Sequence, residues 1–518
     1  MKQIYLLCFS VIWILAIFSD YWNKHLLHKL GIEHYSHWTY ALILVILTAG
    51  TGYILTSNNR SRIFNILRSR LMMLPYFLIM LVTLYCVNTK YTGTSIDISS
   101  IGTVLWKGLY SAFLLILIWF SPYSLGNLIR RKVEVNYAVE DSFTVDMVIG
   151  LACYSLLLFV LSFTKLLYLP SILILMIGCI GINYQHMWEF LRSRILSPPT
   201  TNVSWLSWIL ISIILVIFSL NYFSDMVPFP NGFDSRNYYM NVTKLIATSH
   251  GMVSGFQAYP WQLFMAQGHT LTGGGGMLPQ LISMSSIIFI LIGAYELCTK
   301  YLNITKPHTY LALALFIITP AVQNHLFIEI KVDLGLVLTQ VALLILVMDH
   351  LHKYKSYETL PSIKDIVLLG FITGYGVSIK TLNFYLIFAL LVALWSLVFR
   401  FKGFVATFFL SIGAILLAKF DSVTGMNQYH QSIELVKYGT LVIGLGGLVW
   451  IAVSQLPTLI KAVKTSMIYI GVMLLTFSPW LVKNMVDTNS MNPSTLIKGE
   501  DPGPDINMQL IRKNYPPK

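Results

Sequence analysis

The sequence predicts an all-α protein built as a polytopic bundle of transmembrane helices. The 518 residues are 56% hydrophobic and only 11% charged, whereas soluble domains carry about 25% charged residues. Long apolar runs recur along the chain, and the loops after every second run are basic, as the cytoplasmic loops of membrane proteins are. The net charge of +13 therefore reflects membrane topology, because no basic run is long enough to form a nucleic-acid patch.

Apolar runs that could cross a bilayer number about fifteen, because a spanning helix needs roughly 20 mostly apolar residues. They lie near 4–19, 38–56, 71–88, 102–120, 144–163, 171–188, 204–222, 277–298, 308–327, 332–350, 365–379, 383–399, 403–419, 438–456 and 466–483. No small-x-small cleavage site follows the first run, so we expect a retained span rather than a signal peptide. Residues 365–400 are too long for one span and are predicted to break near Lys380. We expect about 13–15 spans in total.

Basic residues in the short loops orient these spans. They lie in 57–70, 128–136, 190–195, 300–306, 350–364, 400–402 and 461–464. With this count all of these loops fall on one side, so the N-terminus is cytoplasmic and the tail 486–518 is outside. The long loop 223–276 also faces outward. The five cysteines lie in apolar runs without metal-ligand spacing, which favours a packing role.

The outer loop contains a predicted amphipathic helix that starts after Asp234. Its shared face consists of Tyr238, Val242, Leu245, Ile246 and Ser249, and Gly251 can close it. A helix of this kind is expected to lie on the outer membrane surface with its tyrosines at the headgroup level. Asp234 then has two interpretations, a helix N-cap or a catalytic carboxylate held at the lipid–water boundary.

Three further segments carry charged residues to the same outer side. "FIEIKVDLGL" places Glu329, Lys331 and Asp333 at the edge of a span, where charged side chains can also simply snorkel. "GFITGYGVSIKTLNF" has Lys380 after glycines that allow close helix packing. "SPWLVKNMVDTNSMNP" has Lys483, which is either a snorkelling residue beside a belt tryptophan or a ligand of a substrate.

The charged residues of these segments supply the chemistry that a lipid-phosphate substrate needs. Cations neutralise a phosphate, and a carboxylate takes a proton from an attacking hydroxyl. The residues are Asp234, Arg236, Glu329, Lys331, Asp333, Lys380 and Lys483.

The same segments resemble the GT-C superfamily of polytopic, lipid-phosphosugar-dependent glycosyltransferases. "FDSRNYYMNVTKLIATSHG" is similar to the first outer loop of that superfamily, with its Asp, a Tyr four residues on and a later Gly. "EIKVDLGLVL", "GYGVSIKTLNF" and the Pro-Trp-x-x-Lys-Asn part of "SPWLVKNMVDTNSMNP" are similar to later segments of bacterial members. These members include protein-mannosyltransferase-like enzymes and lipopolysaccharide-core transferases, and the resemblance covers roughly residues 204–495.

The resemblance implies a polyprenyl-phosphate sugar as donor and a glycan, lipid or protein as acceptor. Transfer would occur on the outer face of a bacterial inner membrane. Asp234 would be the general base or would orient the acceptor. The substrate-binding set would be Arg236, Tyr238, Glu329, Lys331, Asp333, Lys380 and Lys483, with the lysines on the donor phosphate.

The implied organisation has three parts: an N-terminal extension at 1–203, a GT-C-like catalytic module at 204–485 with the outer loop 223–276, and the polar tail 486–518. Two features depart from the superfamily pattern. About six spans precede the first outer loop, and Ser235 rather than a second acid follows Asp234, with Asp225 the nearest other acid. No cofactor is certain, and a divalent metal stays an option.

Three other functions are compatible with the sequence. A transporter or flippase of a lipid-linked or anionic substrate would need ionisable residues near the bilayer midplane. An O-antigen-type polymerase or ligase usually has its large loop late in the chain. A non-catalytic membrane subunit would use the polar loop to dock a partner. The segment "TGGGGM" at 272–277 predicts a hinge, because it lacks the Lys-Ser/Thr of a nucleotide-binding loop.

Overall fold

The computed structural model describes residues 49, 98–133, 141–192, 204–225, 232, 235, 239–253, 260–328, 331–353, 360–380, 383–417 and 430–489. All regular structure within these ranges is helical, and none of it is strand. The all-α prediction is therefore confirmed for the described residues. The runs predicted near 4–19, 38–56 and 71–88 lie outside them, apart from Ala49.

Fifteen α-helices follow one another in the described residues. They are α1 (Ile98–Val133), α2 (Phe143–Phe163), α3 (Leu169–Gly181), α4 (Tyr184–Phe190), α5 (Trp205–Ser224), α6 (Met240–Ser249), α7 (Pro260–Leu271), α8 (Met277–Glu296), α9 (Lys306–Ile318), α10 (Pro320–Gln323), α11 (Asp333–Lys353), α12 (Ile363–Ile379), α13 (Phe384–Phe399), α14 (Phe401–Leu417) and α15 (His430–Thr488). Two π-helical segments, Leu297–Tyr301 and Asn324–Ile328, extend α8 and α10.

Several of these helices are compatible with an integral membrane protein. Five described helices are long and apolar enough to cross a membrane, and the total reaches seven if each of two bent pairs is one span. The bent pairs are α3 with α4, at 71°, and α9 with the helical segment after Thr319, at 57°. The total of about 13–15 spans stays a prediction. It includes runs outside the described residues, and it also includes apolar helices of fewer than 18 residues.

The chain separates into two compact units. Unit 1 comprises Met1–Ser124, Lys165–Gly251 and Phe264–Leu334, and unit 2 comprises Leu125–Thr164, Met252–Leu263 and Gly335–Lys518. These boundaries follow packing within the chain. The division by role at 204 and 485 stays a prediction.

Unit 1 is held together by aromatic and polar contacts between its helices. The indole N–H of Trp119 donates to Ser285 Oγ at 2.7 Å, and the same indole lies 4.4 Å from the Phe289 ring. Tyr222, near the end of α5, donates its hydroxyl to the carbonyl oxygen of Gly108 on α1 at 2.9 Å. These bonds satisfy polar atoms that burial would otherwise leave without water.

The predicted amphipathic helix of the outer loop is present in part as α6, which begins at Met240 with Tyr239 as its N-cap, whereas the sequence predicted a start at Asp234. Val242 and Ile246 are buried, so its apolar face packs against protein rather than lipid. The residue that ends the helix in a left-handed conformation is His250, with φ 53°, and not the expected glycine. Gly251 instead donates its N–H to the carbonyl oxygen of Ile246. The second helix of this loop, α7, has no counterpart in the sequence analysis.

The glycines before Lys380 pack α12 of unit 2 against the second half of α15, as predicted. A Cβ at Gly370 would lie 2.7 Å from the Tyr469 carbonyl oxygen, and a Cβ at Gly374 would lie 2.5 Å from that of Met473. Only glycine permits such close backbone approach. Because the contacts advance together along both helices, α12 and this part of α15 run in the same direction.

The long helix α15 consists of two antiparallel segments that meet at Gln455, whose φ of −150° and ψ of 46° are not helical. The first segment is antiparallel to α14, because Gly444 lies against Leu410 and Gly447 against Ala406. The second is antiparallel to α13, since Phe384 contacts Phe477 and Trp395 contacts Ser466. Helices α13 and α14 are antiparallel to each other, because the chain folds back where Gly403 meets Trp395. Each of these two helices is antiparallel to one segment of α15. The two segments of α15 are therefore antiparallel to each other.

Candidate functional site

Lys380 lies at the break between α12 and α13, where the sequence predicted one. It is the C-cap of α12, and its N–H donates to the Gly376 carbonyl oxygen. Its own carbonyl oxygen accepts the N–H of Asn383 at 2.9 Å. Asn383 is buried, and its Oδ1 accepts Nε2 of Gln340 on α11 at 3.2 Å. The Asn383 side chain thereby joins the start of α13 to α11.

Lys483 lies near the end of the second segment of α15. Its Nζ is 2.6 Å from Oδ2 of Asp487, one helical turn later. The lysine is 4% exposed, and the adjacent Asn484 is also buried. Lys483 therefore does not snorkel to the surface. Asp487 is a carboxylate of this region that sequence reasoning missed, although its spacing of four residues from Lys483 is a signal for a helical ion pair.

Lys380 and Lys483 lie at the same end of unit 2. The register set by Gly370 and Gly374 places Lys380 about one helical turn before the level of Lys483. The contact between Phe384 and Phe477, with ring centroids 5.9 Å apart, agrees with that register. We call the end that carries Lys380, Asn383, Lys483 and Asp487 the Lys380 end.

The opposite end of unit 2 carries the loop cations, and we call it the basic end. Lys353 is 3.6 Å from Asp365 in the first turn of α12, far from the C-terminal end of that helix. Lys402 donates to Ser454 at 3.1 Å, next to the turn at Gln455. The cations of the basic end include Arg130, Lys353, Lys402, Lys461 and Lys464.

Arg130 lies at the basic end because it pairs with Asp146, which is in the first turn of α2. Phe159 of α2 contacts Trp480, and Ser155, one turn earlier, lies beside Tyr375. Helix α2 therefore runs in the same direction as α12, and its first turn with Asp146 lies at the basic end. The Arg130 Nε donates to Asp146 Oδ1 at 2.7 Å.

Arg130 is held on two sides. Its Nη1 and Nη2 donate to the two carboxylate oxygens of Asp141 at 3.0 and 2.8 Å. Asn127 donates to the second oxygen of Asp146 at 2.9 Å. Arg130 is 5% exposed, so this arginine is a packing residue as well as a loop cation.

Lys331 and Asp333 belong to unit 1. The carbonyl oxygen of Lys331 accepts the hydroxyl of Ser283 on α8 at 2.8 Å, which fixes the backbone after the π-helical segment. Asp333 is the first residue of α11, a position where a carboxylate also stabilises a helix N-terminus. Both residues are half-buried.

A buried acid in unit 1 was not part of the predicted site. Asp225 follows α5 and is 2% exposed, and burial raises the pKa of this carboxyl well above its ordinary value. Its Oδ2 has no hydrogen-bond partner among the residues that the structure describes. One turn earlier, Asn221 donates to Oε1 of Gln323, the last residue of α10, at 3.2 Å.

The remaining predicted site residues lie outside the described residues. They are Asp234, Arg236, Tyr238 and Glu329. Within the described residues, no group of three or more histidine, cysteine, aspartate or glutamate side chains is placed to hold a metal ion. The roles expected for all of these residues stay predictions.

No protein-family model matches the chain, and neither a curated protein nor a solved structure matches it. The GT-C resemblance therefore stays a prediction that rests on the sequence segments alone.

Proposed function

We propose that this protein is a membrane glycosyltransferase that takes a sugar from a polyprenyl-phosphate donor on the outer face of the membrane. The observation that carries the proposal is the placement of Lys380 and Lys483 at one end of unit 2, opposite the end that collects the loop cations. Basic loops stay cytoplasmic, so the Lys380 end is the outer end. A lysine at the outer end does not help to set the orientation of the protein in the membrane. It is suited instead to binding an anionic group of a substrate.

Lys380 is the primary phosphate ligand in this proposal. Its backbone N–H and carbonyl oxygen are bonded to Gly376 and Asn383, and a preorganised backbone lowers the entropic cost of holding a phosphate. Lys483 is already neutralised by Asp487. It would bind the phosphate only by exchanging this partner.

The acceptor chemistry belongs to Asp234 in this proposal. A hydroxyl of the acceptor attacks the anomeric carbon of the donor sugar as the bond from that carbon to the phosphate oxygen breaks. The carboxylate of Asp234 takes the hydroxyl proton, and cations that bind the donor phosphate stabilise the leaving polyprenyl phosphate. The product is the glycosylated acceptor.

A comparison of cell-envelope glycans tests the proposal. Cells that lack the gene should lose a defined sugar and accumulate a polyprenyl-phosphate sugar, and the full-length gene should restore both. Lys380→Ala should fail to restore them, whereas Lys402→Ala at the basic end should succeed at equal membrane abundance. Unchanged glycans and an unchanged lipid-sugar pool in the deletion strain would refute the proposed activity.

The two bent helix pairs favour a second function, a transporter or flippase of a lipid-linked substrate. Broken helices often line the substrate sites of transporters, and α9 ends at Thr319, four residues before Gln323, which accepts a hydrogen bond from Asn221 of α5. The same deletion strain separates the two functions. Loss of a transferase leaves the lipid-linked sugar on the outer leaflet, whereas loss of a flippase leaves it on the cytoplasmic leaflet.

A further inference from the structure

The start of helix α7 belongs to unit 2 and is buried there. Unit 2 includes Met252–Leu263, and residues 260–263 are all buried. The indole of Trp261 lies so close to Gly335, in the first turn of α11, that a Cβ at this glycine would overlap the indole ring. Only glycine permits such an approach. The start of α7 is therefore packed against the start of α11.

The start of α11 lies at the Lys380 end of unit 2. Helices α11 and α12 are antiparallel, because the last residue of α11 pairs with the first turn of α12. Within this pair Thr339 lies against Gly376. Gly335 precedes Thr339 by four residues, and Lys380 follows Gly376 by four residues. Both lie about 6 Å beyond that contact in the same direction, so the start of α7 is at the level of Lys380.

Gln262 is the next residue of α7 after Trp261, and its amide oxygen is not satisfied. The residue is 1% exposed, and its Oε1 has no hydrogen-bond partner among the residues that the structure describes. A buried acceptor that receives no hydrogen bond destabilises a folded protein. An unsatisfied amide oxygen at the level of Lys380 therefore points to a ligand that supplies the missing donor.

The chemistry of this amide suits a sugar and not a phosphate. An ionised phosphate offers acceptor oxygens only, so it cannot donate a hydrogen bond to Oε1 of Gln262. A sugar hydroxyl can donate to this oxygen, and a neighbouring hydroxyl of the same sugar can accept from the amide nitrogen. A neutral carboxamide thus complements a pair of adjacent hydroxyl groups, whereas the Lys380 ammonium complements a phosphate.

We propose that Gln262 binds a hydroxyl group of the donor sugar, while Lys380 binds the phosphate of the same donor. This inference rests on the proposed function, and it names the residue that recognises the sugar. A site that hydrogen-bonds a substrate hydroxyl rejects a substrate that lacks it, because the polar group of the site is then left unpaired. Gln262 therefore determines which donor sugars the protein accepts.

Competition binding to the purified full-length protein in phosphatidylcholine nanodiscs tests this role. The bound probe is radiolabelled polyprenyl phosphate without a sugar. The competitor is the polyprenyl-phosphate sugar extracted from the deletion strain. The ratio of the two affinities measures the contribution of the sugar to binding, and the apparent Tm of each variant measures its stability.

Three variants are compared with the wild type. Gln262→Met removes the amide at nearly constant side-chain length. Gln262→Asn keeps an amide on a side chain that is shorter by one methylene group. The control Gln323→Met removes a buried amide that is fully engaged, because it accepts from Asn221 and donates to the carbonyl oxygen of Ile317.

The wild type should bind the lipid-linked sugar about three- to tenfold more tightly than the sugar-free lipid, the scale of one neutral hydrogen bond. Gln262→Met should lose this preference, bind the sugar-free lipid as the wild type does, and have an apparent Tm no lower than that of the wild type, because it removes an unsatisfied amide. Gln262→Asn should lose part of the preference, and it provides the test if Gln262→Met does not fold. Gln323→Met should keep the preference at a lower Tm.

Two results would overturn the role of Gln262 and leave the phosphate site at Lys380 standing. They are an unchanged preference for the lipid-linked sugar in the Gln262 variants, and a loss of Tm in Gln262→Met as large as that in Gln323→Met. Failure of the proposed function gives a different result. In that case the deletion strain accumulates no lipid-linked sugar, and the wild type does not bind the sugar-free lipid.

Discussion

Lys483 and Asp487 form an ion pair at 2.6 Å inside a helix that is long and apolar enough to cross a membrane. Taking either charge from water is expensive unless the partner compensates it. The pair thus explains how a lysine can be buried near the end of a span. Lys483 could serve as half of a structural ion pair or as a ligand of the donor phosphate. Replacing both members of the pair by apolar residues separates these roles, because apolar residues can substitute for a structural pair but cannot bind a phosphate.

The first prediction uses that difference. Lys483→Met and Asp487→Leu should each destabilise the protein, because each leaves one buried charge, and the double variant should recover on the order of 3 kcal/mol of that loss. Thermal unfolding in detergent of the wild type, the two single variants and the double variant measures these differences in stability. If Lys483 holds the donor phosphate, the double variant is stable but does not restore the glycans of the deletion strain. Full restoration would make the pair structural only.

The second prediction concerns the contact between α12 and α15. Gly374→Ala places a methyl group 2.5 Å from the Met473 carbonyl oxygen, so the helices must separate, at a cost of about 1–3 kcal/mol. Gly471→Ala on the partner helix is the matched control, because its Cβ meets no atom within 4 Å. We expect it to be neutral or slightly stabilising. Equal apparent Tm values for the two variants would contradict the packing of these helices.

The third prediction concerns Arg130, which has one buried and one exposed carboxylate partner. Asp146 is 2% exposed and Asp141 is 70% exposed. Asp146→Ala leaves the buried guanidinium without its inner partner and should cost about 3–5 kcal/mol. Asp141→Ala removes a solvated partner and should cost less than about 1 kcal/mol. Chemical unfolding measures the free energy of unfolding of the two variants. A larger loss of stability with Asp141→Ala would show that the exposed carboxylate contributes more to the cluster than the buried one.

The fourth prediction concerns His269, which lies outside the membrane-spanning helices. Its pKa in the folded protein is about 4, below the ordinary value of 6.5. As the pH falls, His269 is therefore protonated in the unfolded protein before it is protonated in the folded protein. The free energy of unfolding decreases between about pH 6.5 and pH 4, by on the order of 3 kcal/mol in total. It has no effect above that window. Apparent Tm values in phosphate-free buffer should depend less on pH in His269→Gln, and an unchanged pH profile would contradict the buried neutral ring.

The sequence predicted features that depend on local pattern. The break at Lys380, the helix at α6 and the packing glycines of α12 follow from length, periodicity and residue size. Helix α7 was missed because its sequence, Pro260–Leu271, mixes polar and apolar residues within an otherwise loop-like stretch. The sequence predicted a break between the runs 438–456 and 466–483, and the turn lies at Gln455, within the first of these runs.

The pairing of charges could not be predicted in the same way. Arg130 is a loop cation by sequence, and its burial depends on Asp146, which comes from another helix. Asp225 precedes the outer loop without any motif, and only the packing of α5 shows that it is buried. Long-range contacts of this kind depend on helix register, which a single sequence does not specify.

The last prediction concerns Asp234 and Asp225 together. As an N-cap, Asp234 could be replaced by Asn with little loss, because Asn also accepts a backbone hydrogen bond. As a general base it needs a carboxylate, so Asp234→Asn should fold at wild-type level yet lower transfer by about a hundredfold or more. Asp225→Asn is the matched control, because burial raises the pKa of that carboxyl well above its ordinary value and Asn has nearly the same shape. We expect near wild-type transfer from it, measured as radiolabelled sugar moved from lipid to acceptor in membranes. Full activity of Asp234→Asn would make Asp234 a helix cap, and loss of activity in Asp225→Asn alone would move the catalytic acid to the end of α5.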